Sequence, residues 1–146
     1  ASSAAQAAPI YLRCDETEVL KHTQEIKTGD RVSNPVRSME PWKDIPVVIY
    51  PERGTGKVWS TNYSLVTEPN KYKLEIRKYD MEPGVLPSKT EMITWTINRQ
   101  TLKLDYHSFR ASISEMEFIG GLQSSQSRKQ SVGTCKIAPA PANNQI

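Results

Sequence analysis

Asp105 and His107 stand two positions apart in Leu104-Asp105-Tyr106-His107, so on an extended chain both project from the same face. A carboxylate and an imidazole placed in this way can share a proton or supply two ligands to a metal. A third ligand would have to come from His22 or from the acidic group Asp15, Glu16 and Glu18, and no spacing ties those residues to the pair. The plainer reading is two surface residues. Serine nucleophilic catalysis has no visible machinery either: there is no Gly-x-Ser-x-Gly elbow, and only two histidines are available as bases. Paired carboxylates for glycoside hydrolysis come from separate strands, so spacing cannot reveal them.

Gly54-Thr55-Gly56-Lys57 has the look of a phosphate-binding loop. That motif needs a glycine where Pro51 stands and a hydroxyl residue where Val58 stands, so a hairpin turn is expected instead. Lys71, Lys73 and Arg77, near Tyr72, Tyr79 and Tyr63, form a basic and aromatic stripe of the kind that binds single-stranded nucleic acid. Tyr72, however, shares a face with Leu74 and Ile76, so the interleaving follows from strand alternation, and lysines guarding an edge strand give the same pattern. Trp42, in Glu40-Pro41-Trp42-Lys43, is either an interface anchor or a ring folded back to close one end of the domain. Asn62-Tyr63-Ser64 is a glycosylation sequon, relevant only where the source glycosylates exported proteins.

The two cysteines, Cys14 and Cys135, lie near opposite ends of the chain, which excludes a CxxC redox pair and a self-contained zinc site. The opening ASSAAQAAP is small-residue and of low complexity, and Ala5-Gln6-Ala7 has the form of a signal-peptidase site. Together with the even cysteine count, this points to an exported chain in which Cys14 and Cys135 pair. Closing so long a loop contributes on the order of 4–5 kcal/mol by chain entropy. The bridge would place the first and last strands side by side or face to face.

The elements that must position these residues are strands. The chain has 146 residues, a formal charge of +3, 37% apolar and 24% charged residues, which suits one globular domain and not a wholly disordered chain. No apolar run approaches the roughly 20 residues of a bilayer-spanning helix. Ile10–Cys14 and Val47–Tyr50 read as strands, and Trp59, Thr61, Tyr63, Leu65 and Thr67 alternate at period two. In the next segment Tyr72, Leu74 and Ile76 oppose Lys71, Lys73, Glu75 and Arg77. A hairpin spans Glu91–Tyr106, with Asn98–Thr101 as its loop. That loop pairs Ile97 with Leu102, Trp95 with Leu104 and Ile93 with Tyr106, all on one face. Further strands are expected at Glu115–Ile119 and Val132–Ile137, separated by Gln123–Gln130 as a solvated loop. Asp15 followed by Glu18, with Val19, Thr23 and Ile26 at helical spacing, suggests one short helix near the N-terminus, although a strand competes. Lys27–Pro46, punctuated by Gly29, Pro35, Pro41 and Pro46, reads as a long loop with at most a short strand.

The segment Trp95-Thr96-Ile97-Asn98-Arg99-Gln100-Thr101-Leu102, followed by Gly133-Thr134-Cys135, resembles the ending of small uncharacterised exported bacterial proteins with two cysteines. Its motifs, a hairpin turn and half of a disulfide, are structural and cover about a third of the chain. The chain is less similar to the periplasmic lysozyme-inhibitor barrels, which carry an early Tyr and Cys and a late Cys. Here Tyr11 and Cys14 depart from that spacing, and the Ser-Gly-x-x-Tyr inhibitory loop is missing. Neither resemblance brings an active-site residue with it.

The expectation is therefore an all-β protein, an antiparallel barrel or sandwich of about seven or eight strands. It would comprise an N-terminal tail over residues 1–9, one domain over 10–138 and a C-terminal tail over 139–146. The expected role is a non-enzymatic binding or accessory subunit docking on a larger protein assembly, with no cofactor, metal or nucleic acid. Arg37, Trp42, Lys43 and Arg53 are the expected partner-facing residues. The rival roles are an enzyme inhibitor, a barrel carrying a lipid or pigment, and a small hydrolase with a site assembled from loops.

Overall fold

Period-two alternation of apolar and polar side chains commits most of this chain to strands, because such a segment buries one face only when extended. The computed structural model describes residues 8–80, 88–116 and 121–141. Among the described residues nine strands form one antiparallel sheet: β1 (Ile10–Thr28), β2 (Arg31–Ser33), β3 (Ile45–Tyr50), β4 (Thr55–Val58), β5 (Thr61–Thr67), β6 (Lys71–Asp80), β7 (Ser88–Asn98), β8 (Lys103–Met116) and β9 (Gly121–Ile137). Each of β3 to β8 pairs with the next, β3 also pairs with β1, and β9 returns to β1, so eight strands close a barrel. β2 hangs from the far end of β1 through the turn at Gly29, whose φ of 60° is the left-handed conformation glycine tolerates best. No helix among the described residues is long and apolar enough to cross a membrane.

The inward residues of the lower barrel make the core: Leu12, Ile45, Val47, Ile49, Val58, Leu74, Trp95, Ile97 and Leu104, with Tyr63 and Tyr106. Each large side chain withdrawn from water here contributes on the order of 2–3 kcal/mol. Cys14 and Cys135 stand directly opposite each other on β1 and β9 and are joined by a disulfide across 121 residues of chain. The first and last strands therefore lie side by side, and the bond fastens the seam that closes the barrel.

The walls are unequal in height. The strands β3, β4 and β5 are short and end at the Trp59-Ser60 turn, whereas β6, β7, β8, β9 and β1 continue well past it. The result is a filled lower barrel surmounted by a tall, half-open sheet. Residues 34–44 run as an irregular strap beside the upper part of β1.

Several sequence expectations change. Asp15–Ile26 is strand, not helix. Two β-bulges, between Glu16 and Glu18 and between Val19 and Lys21, insert three-residue steps into the inward series Cys14, Glu16, Val19, His22, Gln24, and those steps imitate helical spacing. Gln123–Gln130 is the middle of β9, hydrogen-bonded to β8 and β1 on either side, and not a loop. The hairpin register also moves by two residues: Ile97 pairs with Leu104 and Trp95 with Tyr106. The cause is the Asn98 side chain. Its Oδ1 accepts the Gln100 and Thr101 N–H groups at 2.8 Å each, so the turn starts after Asn98 and Leu102 becomes its last residue at φ 58°. The shift is even, so the inward face is kept. Trp59 does not begin a strand; it sits in the turn between β4 and β5 with φ 50°. Of the strand expected at Glu115–Ile119, Glu115 and Met116 end β8, and residues 117–119 lie outside the described residues.

Candidate functional site

Where the apolar lower barrel meets the taller sheet, alternation turns three polar side chains inward. Glu16, following Cys14 on β1, is fully buried, and Lys129 and Ser131 of β9 are nearly so. Lys129 Nζ lies 3.0 Å from Glu16 Oε1, and Ser131 Oγ–H donates to Glu16 Oε2. The Trp42 N–H donates to Oε1 at 2.7 Å, while the Glu16 N–H donates to the Trp42 carbonyl at 2.8 Å. Lys43 Nζ adds a bond to the Glu16 carbonyl at 2.9 Å. Both carboxylate oxygens are thus occupied by protein donors, which is what a buried charge needs in order to persist.

The ring of Trp42 completes the arrangement. Lys129 Nζ sits 2.9 Å from its centroid, and Trp42 packs edge-on against Trp59 and Tyr106 at 5.5 and 5.4 Å. Trp95 and Tyr106 lie beneath, with centroids 4.2 Å apart. This aromatic plug caps the core. Burial pushes the Lys129 ammonium below the ordinary lysine range, opposed by its bond to Glu16. Burial likewise raises the phenols of Tyr63 and Tyr106 above their usual value.

Local backbone conditions hold the network in place. Gly133, opposite the first bulge, has no room for a side chain: a Cβ there would run into the Asp15 carbonyl oxygen and lie 2.9 Å from Glu16 Cα. Asp44, at the end of the strap, and Trp59 both carry positive φ, of 53° and 50°. A non-glycine residue in that region costs on the order of 1–2 kcal/mol, and both distortions lie beside the plug.

Above the plug the same inward face becomes hydrophilic. A cleft of about 400 Å³ is lined by Gln24, Arg37, Lys89, Glu91, Arg110, Ser112, Ser125 and Ser127, among others. Arg110 Nε donates to Glu91 Oε2 at 2.9 Å across the β7–β8 pair, and Arg37 of the strap donates to Gln24 Oε1 at 3.3 Å. His22 Nδ1–H donates to the Ser38 carbonyl, which pins the strap a second time.

Of the expected partner-facing residues, Arg37, Trp42 and Lys43 all belong to the strap. Arg37 is exposed at the cleft; Lys43 is exposed and bonded to Glu16; Trp42 is half-buried and folded onto the core. Arg53 is at the other end of the barrel, where its guanidinium lies 4.8 Å from the Tyr50 ring centre. The four do not make one surface. Asp105 and His107 are both exposed on the outer face of β8, and His107 borders a separate groove of about 270 Å³ with Met92, Phe109 and Arg128. Among the described residues no three His, Cys, Asp or Glu side chains gather as a metal site. Gly54 (φ 63°) closes a short 3-10 turn over Pro51–Arg53, and Thr55–Val58 is strand, so the Gly-Lys segment is a turn entering β4. The basic stripe is interleaved with acids, with Lys71 3.3 Å from Glu68 and Lys73 3.1 Å from Glu75.

The sequence expectations do not single out Lys129, which falls in the expected loop Gln123–Gln130, or Ser131, which falls between that loop and the expected last strand. They name Glu16 only within the acidic group that could give Asp105 and His107 a third ligand. A signal existed. Counting back in twos from Cys135 gives Gly133, Ser131 and Lys129 on one face, and Glu16 shares the face of Cys14. No protein-family model, curated protein or solved structure matches this chain.

Proposed function

We propose that the protein is an exported, non-enzymatic binding subunit that docks on a larger protein assembly through the tall end of its barrel. The observation that carries this reading is the change in composition along one continuous inner face. Below the plug that face is filled with Trp95, Leu104, Ile97 and their neighbours, leaving the lower barrel to packing. Above it the sheet is half open, lined with hydroxyl, amide and charged groups, and among the described residues three strand edges lack a strand partner there, one of them the outer side of β2. β6 has none beyond Glu75 on its β5 side, and β1 has none between Cys14 and Ile26 on its β3 side, where only the strap lies. Such edges are where an extended partner segment adds main-chain bonds.

The deeply buried Glu16–Lys129 charge pair supports a structural role over a catalytic one. A general acid or base must reach a substrate, whereas both oxygens of Glu16 already accept internal donors. The Cys14–Cys135 bond suits an oxidising compartment, and this supports export.

The test is purification of the chain from its source at native abundance, followed by native mass measurement and lysine cross-linking. A stoichiometric complex with cross-links from Lys78 and Lys89 at the tall end is expected. Recovery as a free monomer, or cross-links confined to Lys71, Lys103 and Lys136 at the lower end, would refute the proposal.

A further inference from the structure

The geometry points to the inner face of the tall sheet as a receptor for a carboxylate-rich peptide segment, a reading that rests on the binding role proposed above and names the chemistry of its site. The cleft brings together three cationic side chains, Arg37, Lys89 and Arg110, against one carboxylate, Glu91. Glu91 engages Arg110 through Nε alone, so among the described residues the terminal guanidinium nitrogens keep donors for a ligand. Carboxylates meet such donors with strong, charge-assisted bonds.

A second feature is the run of serines. Ser112 pairs across the sheet with Ser125, and Arg110 with Ser127, so small hydroxyl side chains floor the cleft between the cations. Serine is a poor strand former, and here it packs against no opposing layer. What it supplies is room and donors. The volume of about 400 Å³ exceeds what a lone small anion fills and falls within the range of sites for ligands of several groups. None of the residues lining the cleft is aromatic, so the stacking platform that pyranose rings favour is missing, while the adjoining β6 edge from Ile76 to Asp80 can pair with an extended backbone. These points favour an acidic peptide over an acidic saccharide.

The test uses the full, disulfide-bonded chain, amide NMR shifts and calorimetry. The probes are acetyl-(Glu-Ser)3-amide, its (Gln-Ser)3 counterpart and a galacturonate trimer. Saturable binding of the Glu peptide is expected, with shifts at Ser112, Ser125 and Ser127. Affinity should fall at least roughly tenfold in the Arg110→Gln/Lys89→Gln variant, and also in about 0.3 M salt. It should be unchanged in Lys136→Gln, which lies at the far end. Should the double variant fold poorly, Arg37→Gln on the exposed strap serves in its place, with a smaller loss. No saturable binding, equal binding of the Gln peptide, shifts mapping elsewhere, or binding of the galacturonate alone would each overturn the inference. No binding of the Glu peptide by a chain whose native complex is still cross-linked through Lys78 and Lys89 would sink this inference while leaving the binding role intact. Peptide binding by a chain that is monomeric in its source would do the reverse.

Discussion

Replacing Lys129 with methionine is the sharpest probe of the barrel's interior. Methionine keeps the unbranched stem and some contact with the Trp42 ring, so the change is chiefly electrostatic. Glu16 stays fully buried, retaining the Trp42 N–H and the Ser131 hydroxyl but losing its countercharge. Removing one partner of a buried ion pair costs about 3–5 kcal/mol, far above the roughly 1 kcal/mol of an exposed pair such as Lys71–Glu68. With a urea m-value of about 2 kcal/mol/M, the midpoint should drop by roughly 2 M. Urea titration at neutral pH with the disulfide intact, followed by tryptophan fluorescence, measures it. The double variant Glu16→Gln/Lys129→Met removes both charges yet keeps an acceptor for the Trp42 N–H. It should lie within about 2 kcal/mol of the parent, giving a coupling energy of at least about 2 kcal/mol. A loss below about 1 kcal/mol in Lys129→Met, or additive losses in the double variant, would refute the assignment of this pair as a buried, mutually dependent unit.

Gly133→Ala should cost on the order of 2–4 kcal/mol, read as a lowered melting temperature, because the new Cβ meets the backbone of Asp15 and Glu16 and not a flexible side chain. Cys14→Ser/Cys135→Ser should lose about 4–5 kcal/mol in urea titration, the chain-entropy value for a closed loop of this length. Absorbance at the phenolate band should show Tyr63 and Tyr106 ionising above the ordinary phenol value of 10.0, and stability should fall above that pH, since there the unfolded chain releases those protons first. Lys129 acts with the opposite sign. Its folded pKa is lowered, so between that value and 10.5 the unfolded chain holds the extra proton and stability gains with rising pH, a gain that Lys129→Met should abolish in pH-dependent melting.

Much of the barrel could be read from side-chain alternation. Tyr72, Leu74 and Ile76 face in and Lys73 and Arg77 face out as their spacing implies, and the two cysteines fall opposite each other on the first and last strands. What escaped had specific causes. The bulges of β1 replace two-residue steps with three-residue steps, so Val19 and Ile26 imitate a helical stripe. The serines and glutamines of β9 resemble a loop because propensity scores a strand by its packing, and this strand faces an open cleft on one side and solvent on the other. The hairpin register differs by two residues from the one the apolar pattern implies, because a side-chain acceptor on Asn98 sets the turn and that pattern does not record it. The sequence leaves Trp42 between two positions because its place depends on Glu16, whose inward direction follows only once the Cys14–Cys135 pairing is granted.

A buried ion pair is poor value as a source of stability, since well-packed apolar residues of similar volume often do as well or better. Its position here suggests what it does instead. Three chain segments with little apolar reason to align meet at Glu16: the bulged part of β1, the serine-rich part of β9 and the strap, whose residues 34–40 are exposed throughout. Apolar contacts alone would tolerate a slip of any of them. A carboxylate that must receive Lys129, Ser131 and the Trp42 N–H together accepts one register only, because a one-residue slip of β1 would turn Glu16 outward and leave Lys129 buried without its partner. The same alignment decides which residues of β8 and β9 face into the cleft above. Loosening the pair should therefore blur the cleft before it unfolds the barrel, so in Glu16→Gln hydrogen exchange should quicken first in the strap and the upper β9, and later around Trp95 and Leu104.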